Sequence, residues 1–148
     1  MMLNLSPWQK YQSDLQQEGF HYDAAQENAV KELQRLYEEL TQPEKKLTWR
    51  VKLQSAFGQG LKQPAIQGLY FWGGVGRGKT YLVDTFYECL PFGRKLRIHF
   101  HRFMHRIHHE LKGLAGQSDP LKIVAKKLAA ETRVICFDEF FVSDITDA

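Results

Sequence analysis

The string Gly73-Gly74-Val75-Gly76-Arg77-Gly78-Lys79-Thr80 is the feature that most limits what this chain can fold into. It matches the spacing G-x-x-x-x-G-K-[ST] at every fixed position. A nearly continuous apolar stretch, 66–72, runs into it. A helical pattern over 79–90 follows and is closed by Pro91-Phe92-Gly93. An apolar run of that length suits a strand buried on both faces of a parallel sheet. Glycines between strand and helix let the backbone curl so that successive N–H groups face one concavity, and the helix adds its positive end there. Such a concavity holds phosphate. Gly73, Gly74, Val75, Gly76, Arg77, Gly78, Lys79 and Thr80 are therefore the cofactor-binding candidates. Lys79 sets a compact cation against β and γ phosphate oxygens and so counts as catalytic too, while the Thr80 hydroxyl takes a Mg²⁺ position. Arg77 reads as a side chain pointing out of the loop.

A second signal lies 59 residues after Lys79. Val134-Ile135-Cys136-Phe137 is an apolar strand that ends in Asp138-Glu139. Ligands of open parallel sheets bind outside the carboxyl ends of the strands. Asp138 in that place serves the Mg²⁺ shell together with Thr80, and Glu139 orients and polarises the attacking water of phosphoryl transfer. The nucleotide read from the sequence is ATP, because no Asn-Lys-x-Asp string for guanine occurs.

The remaining pattern supplies the frame. Ser6-Pro7 with Gln9 starts a first helix that Gly19 is expected to stop, and Asp23 with Gln26 as capping-box partner starts a second. Its apolar stripe, Ala29, Val30, Leu33, Leu36, Tyr37 and Leu40, runs down to Pro43. A weaker helix is expected over 45–57. Beyond the glycine-rich string, 95–100 alternates as a strand, 102–112 reads as a helix before the break 113–116, and Asp119-Pro120 starts another. The last strand is expected over 132–137. Strand, helix, strand, helices, strand makes an α/β fold: a P-loop NTPase core with a parallel sheet flanked by helices, over 64–148, after a helical lead-in over 1–63.

Charge divides along the chain. Residues 1–44 carry three basic and eight acidic side chains, and residues 45–148 carry seventeen and nine. The hydrophobic share of 43% and charged share of 25% exclude a disordered tail or a disulfide scaffold. No run approaches the ~20 apolar residues of a membrane span. No signal-peptide pattern opens the chain, and Asp14 and Glu18 argue against a transit peptide, so the expected location is the cytoplasm. Cys89 and Cys136, each inside an apolar stretch, read as reduced and buried. His99, His101, His105, His108 and His109 crowd one stretch. Glu110 is the only carboxylate near them and no cysteine lies among them, which argues against a metal site, and with Arg94, Lys95, Arg97, Arg102, Arg106 and Lys112 they make the stretch basic.

The run Gly68-Leu69-Tyr70-Phe71-Trp72 into Gly73–Thr80 resembles the ZapE-type family of bacterial cell-division ATPases and their mitochondrial relatives. So do Phe100-His101-Arg102-Phe103-Met104, Cys136-Phe137-Asp138-Glu139-Phe140, the end of the chain from Val142 to Ala148, and the lead-in 11–40 with its Asp23-Ala24-Ala25-Gln26. The resemblance implies an AAA+ type ATPase that acts at the division septum and destabilises FtsZ polymers when ATP is present. It leaves open a homo-oligomer in the complete protein. It also implies a truncated copy, since the family's sensor strand, arginine finger and helical lid lie beyond Ala148. The sheet is then expected to lack a central member and the chain alone to turn over poorly. Two alternatives accompany this reading: a helicase-loader-like ATPase gripping DNA through 94–112, and a nucleotide-binding fragment without turnover.

Overall fold

Ser6 opens the first helix. Its backbone N–H donates to Gln9 Oε1 at 3.0 Å and its hydroxyl accepts from the Gln9 N–H at 3.4 Å, the reciprocal capping box, with Pro7 at the first helical position. In this computed structural model, which describes residues 4–42, 65–73 and 78–140, that helix is α1, Pro7–Asp14. The described residues fall into two compact units, Met1–Pro91 and Phe92–Ala148.

In the first unit α1 ends at Asp14 rather than at Gly19. Gly19, at φ +87°, instead serves the loop that follows. Helix α2, Ala24–Thr41, is capped by Asp23, whose Oδ1 accepts from the N–H groups of Ala25 (2.7 Å) and Gln26 (3.2 Å). The expected return bond from the Gln26 side chain is not among its contacts, because that side chain turns toward Gly78. Val30, Leu33, Leu36 and Leu40 form the buried stripe. Each such side chain contributes roughly 1.5–3 kcal/mol when fully buried. On the opposite face Lys31–Glu27 and Arg35–Glu39 pair at one-turn spacing. Helix α3, Lys79–Cys89, buries Leu82, Thr85, Phe86 and Cys89. Tyr11, wholly buried, lies edge-on to Phe20, and Phe20 in turn packs on Tyr81 of α3.

The stretch 66–72 corrects the expectation from its composition. Its residues belong to no strand, and Ile66, Tyr70 and Trp72 are exposed. Apolar content alone does not make a strand; a ladder partner is required, and among the described residues the sheet has only two members. The helix expected over 45–57 lies outside the described residues.

The second unit is built on those two strands, β1 (Lys95–His99) and β2 (Val134–Asp138), paired parallel from Lys95 opposite Val134 to His99 opposite Asp138. Both end or begin within two residues of the expected bounds. Helices α4 (Phe100–Gly113) and α5 (Pro120–Glu131) make the crossover that a parallel pair needs. The first helical residue of α4 is Phe100, which the alternation had placed on the strand. Arg106 fastens the two helices by reaching Glu110 at 2.9 Å on its own helix and Glu131 on α5. Thr132 and Arg94 close the end of α5 by donating to the carbonyls of Leu128 and Ala129. Cys89 and Cys136 are free and buried, as their settings imply, and burial pushes the Cys136 thiol up to about 11. No helix among the described residues is long and apolar enough to cross a membrane.

Candidate functional site

Gly78, Lys79 and Thr80 form the entry to α3. Gly78 is its N-cap in the left-handed region, φ +72°, a conformation that costs a residue with a Cβ about 1–2 kcal/mol. The chain thereby turns sharply enough to present the first helical N–H groups, and no side chain caps them. Lys79 folds back from this turn, and its ammonium donates to the Gly73 carbonyl at 2.8 Å. The lysine thus links Gly73 to the start of α3. Thr80, the next residue, is exposed. Residues 74–77, which include the candidates Gly74, Val75, Gly76 and Arg77, lie outside the described residues.

A hollow of about 400 Å³ opens beside Lys79, lined by Asp23, Ala25, Gln26 and Ala29 at the start of α2, by Phe71, Trp72 and Gly73 ahead of the turn, and by Leu82. Behind Thr80 the helix is fixed from the other side. Tyr81 donates to Asp14 Oδ2 at 2.6 Å, and Asp14 also receives Lys10 at 3.2 Å and Gln17 at 3.2 Å. Burial and the neighbouring carboxylate push the Tyr81 phenol well above its usual range, so it stays a donor.

Asp138 and Glu139 lie in the second unit. Asp138 ends β2, and its Oδ2 stands 2.8 Å from Arg97 Nη1 of β1, both side chains being largely enclosed. The parallel register sets this pair: Arg97 is opposite Cys136, and Asp138 is the next residue on the same face. Glu139 follows with φ +48°, an unusual backbone for a glutamate. Phenylalanines bracket the turn. Phe137 packs edge-on against Phe100 (5.6 Å between centroids) and Phe103 (4.8 Å), and Phe140 lies 4.3 Å from Phe100. Phe100 and Phe103 of α4 thus hold the segment carrying the acidic pair. Among the described residues no group of three or more His, Cys, Asp or Glu side chains is placed to hold a metal ion, so the histidines of α4 are not gathered into a metal centre. Thr80 and Asp138 offer hard oxygen donors of the kind Mg²⁺ takes.

Sequence reasoning missed Arg97, the phenylalanine bracket and the Tyr81–Asp14 bond. A basic residue at a position alternating toward Asp138 was a signal for the first. The other two depend on the packing of distant helices.

Comparison with known proteins places these residues in context. The profile of the AFG1-like ATPase family matches residues 5–148. The chain is 48% identical over 153 aligned residues to the cell division protein ZapE of Escherichia coli K12, covering 99% of this chain and 41% of that protein. An uncharacterised protein of Schizosaccharomyces pombe is 40% identical over 85% of this chain, which covers 34% of its length. Lactation elevated protein 1 homolog B of zebrafish, Danio rerio, is 47% identical over 55% of this chain, or 18% of its own length. The chain therefore spans well under half of each of these relatives. No solved structure matches it.

Proposed function

The chain belongs to the AFG1-like ATPase family, and from that premise we propose that it binds Mg²⁺–ATP through Gly73–Thr80 and hydrolyses it with Glu139 orienting the attacking water. The observation that carries this reading is the geometry at the start of α3, where the left-handed Gly78 turns the chain and Lys79 arches back to Gly73. Uncapped helical N–H groups and a lysine at that point receive phosphate oxygens. On binding, the ammonium exchanges a neutral carbonyl for a charged oxygen, a stronger partner. Thr80 and Asp138 are the residues that would serve Mg²⁺, which when bound would supply charge neutralisation at the β and γ phosphates. Glu139 holds a water by its carboxylate and accepts the proton that water loses. Phe100, Phe103 and Phe140 keep that carboxylate's backbone in place.

The likeness to a named cell division protein supports a role in bacterial division in the cytoplasm at the septum, with FtsZ or another division protein as partner. The DNA-gripping alternative draws less from the basic stretch than its sequence offered, since Arg97 and Arg106 are paired with carboxylates. The test is calorimetric titration of Mg²⁺–ATP into the chain and its Lys79→Ala variant. Removing the charge-assisted bonds is expected to weaken binding about 10- to 100-fold. Equal affinity in the two would overturn the assignment.

A further inference from the structure

The hollow beside Lys79 has a wall that the phosphate chemistry does not use. Gln26 sits in the first turn of α2, fixed there by the two bonds from its own and Ala25's N–H to Asp23. Local sequence would send its side chain back to the cap, yet it reaches across to α3, so close that a Cβ on Gly78 would lie 2.7 Å from its Nε2. Among the described residues the Gln26 carboxamide makes no hydrogen bond. Gln34, on the same helix, uses both ends of its carboxamide, accepting from the Trp8 N–H at 3.1 Å and donating to Glu38 at 2.8 Å. Among the described residues the remaining walls are Asp23, whose Oδ1 is engaged in capping α2, and the apolar Ala25, Ala29, Leu82 and the rings of Phe71 and Trp72, the latter 84% exposed and offering a flat face. A concave, largely apolar hollow with one unspent carboxamide, a capping carboxylate and a cation at its edge is the form of a small-molecule site.

We propose that this hollow receives the base of the bound nucleotide and that Gln26 is the residue that selects adenine over guanine. The inference rests on the phosphate site proposed above and adds the base to it. A carboxamide matches the adenine edge at two points, its oxygen accepting from the N6 amino group and its nitrogen donating to N7. Guanine presents acceptors at both N7 and O6, so the carboxamide oxygen meets another oxygen and one bond is lost. Trp72 supplies a surface on which a purine stacks, and every base has such a face, so stacking adds affinity without choosing. Gln26 does the choosing.

The experiment is fluorescence titration of the chain with mant-ADP and mant-GDP, which need no hydrolysis. The unaltered chain is expected to prefer mant-ADP by roughly 5- to 150-fold, the range of one two-point base contact. Gln26→Ala is expected to weaken mant-ADP by most of that factor and leave mant-GDP nearly unchanged, so that the preference collapses. Gln26→Glu keeps the side chain's shape and its acceptor for N6 while losing the donor to N7, and it is expected to fall between the two. Should the alanine variant lose its far-ultraviolet helical signal, the glutamate variant carries the test. A preference unchanged by both substitutions, or equal losses for both nucleotides, would overturn the inference. Equal losses would make Gln26 a prop for the Gly78 turn. If the unaltered chain binds both nucleotides and Lys79→Ala weakens both, the phosphate site stands whatever Gln26 does. If the unaltered chain binds neither, both readings fall.

Discussion

Tyr81 and Asp14, 67 residues apart in sequence, meet in a 2.6 Å hydrogen bond that ties the residue after Thr80 to the last residue of α1. The lead-in is thereby part of the scaffold of the proposed phosphate site. Asp14 is enclosed, with a side chain 10% exposed, and gathers Lys10, Gln17 and Tyr81 around one carboxylate.

Tyr81→Phe should cost about 1.5–3 kcal/mol of stability, the usual worth of a hydrogen bond to a charged group. The phenol's pKa is raised in the folded state, so its contribution is fully present below the ordinary value of 10.0 and is lost as pH rises above it. Urea unfolding at pH 7.5 and at pH 10.5 should show a narrower gap between the two proteins at the higher pH. A gap that widens with pH would contradict the assignment.

Glu139→Gln should leave Mg²⁺–ATP bound while slowing phosphate release by about 10²–10⁴-fold, the span of one acid–base group. Single-turnover release measured beside calorimetric binding separates the two effects. Weaker binding with turnover preserved would make Glu139 a ligand rather than the water-orienting group.

Arg97→Gln should destabilise the second unit by about 1.5–3 kcal/mol, because Asp138 would keep its charge in a largely enclosed place without its 2.8 Å partner. Hydrogen exchange at the amides of β1 and β2 reads this directly. Arg97→Gln with Asp138→Asn should recover part of the loss, since the orphaned charge is then gone. No recovery would mean that the pair does not act as a unit.

Glu110 has its carboxylate held below the usual 4.5 by the Arg106 guanidinium and then by Lys127. A depressed folded-state pKa means that its contribution is present above the unfolded value and is lost as pH falls through the folded one. Stability measured from pH 6 down to pH 3 should therefore decline, and Glu110→Gln should flatten part of that decline. An identical slope in the variant would exclude the pair as a source.

Helix starts at Pro7, Ala24 and Lys79 and the places of the two strands were legible because their causes are local. Ser6 with Gln9 and Pro7, Asp23 ahead of Ala25, the alternation over 95–99 and the apolar run 134–137 each carry their own signal. The glycine-rich string placed Gly78 and Lys79 at a helix start without help from packing. Arg97 was lost as one of six basic residues, since only the strand register shows which of them lies beside Asp138. Gln26 was misread for a related reason. Its local use as a cap competes with a contact to Gly78, more than fifty residues away, and the distant contact wins. The run 66–72 failed in the opposite direction, because its apolar residues describe a strand whose hydrogen bonds must come from elsewhere.

The left-handed backbone of Glu139 carries a cost for anyone who would improve this protein by stability alone. A glutamate at φ +48° gives up about 1 kcal/mol that glycine or asparagine would retain in the same turn. A library screened for heat resistance should therefore drift toward those residues at position 139, gaining melting temperature while shedding the carboxylate to which hydrolysis is assigned. Selection for thermostability and selection for turnover pull this one residue in opposite directions.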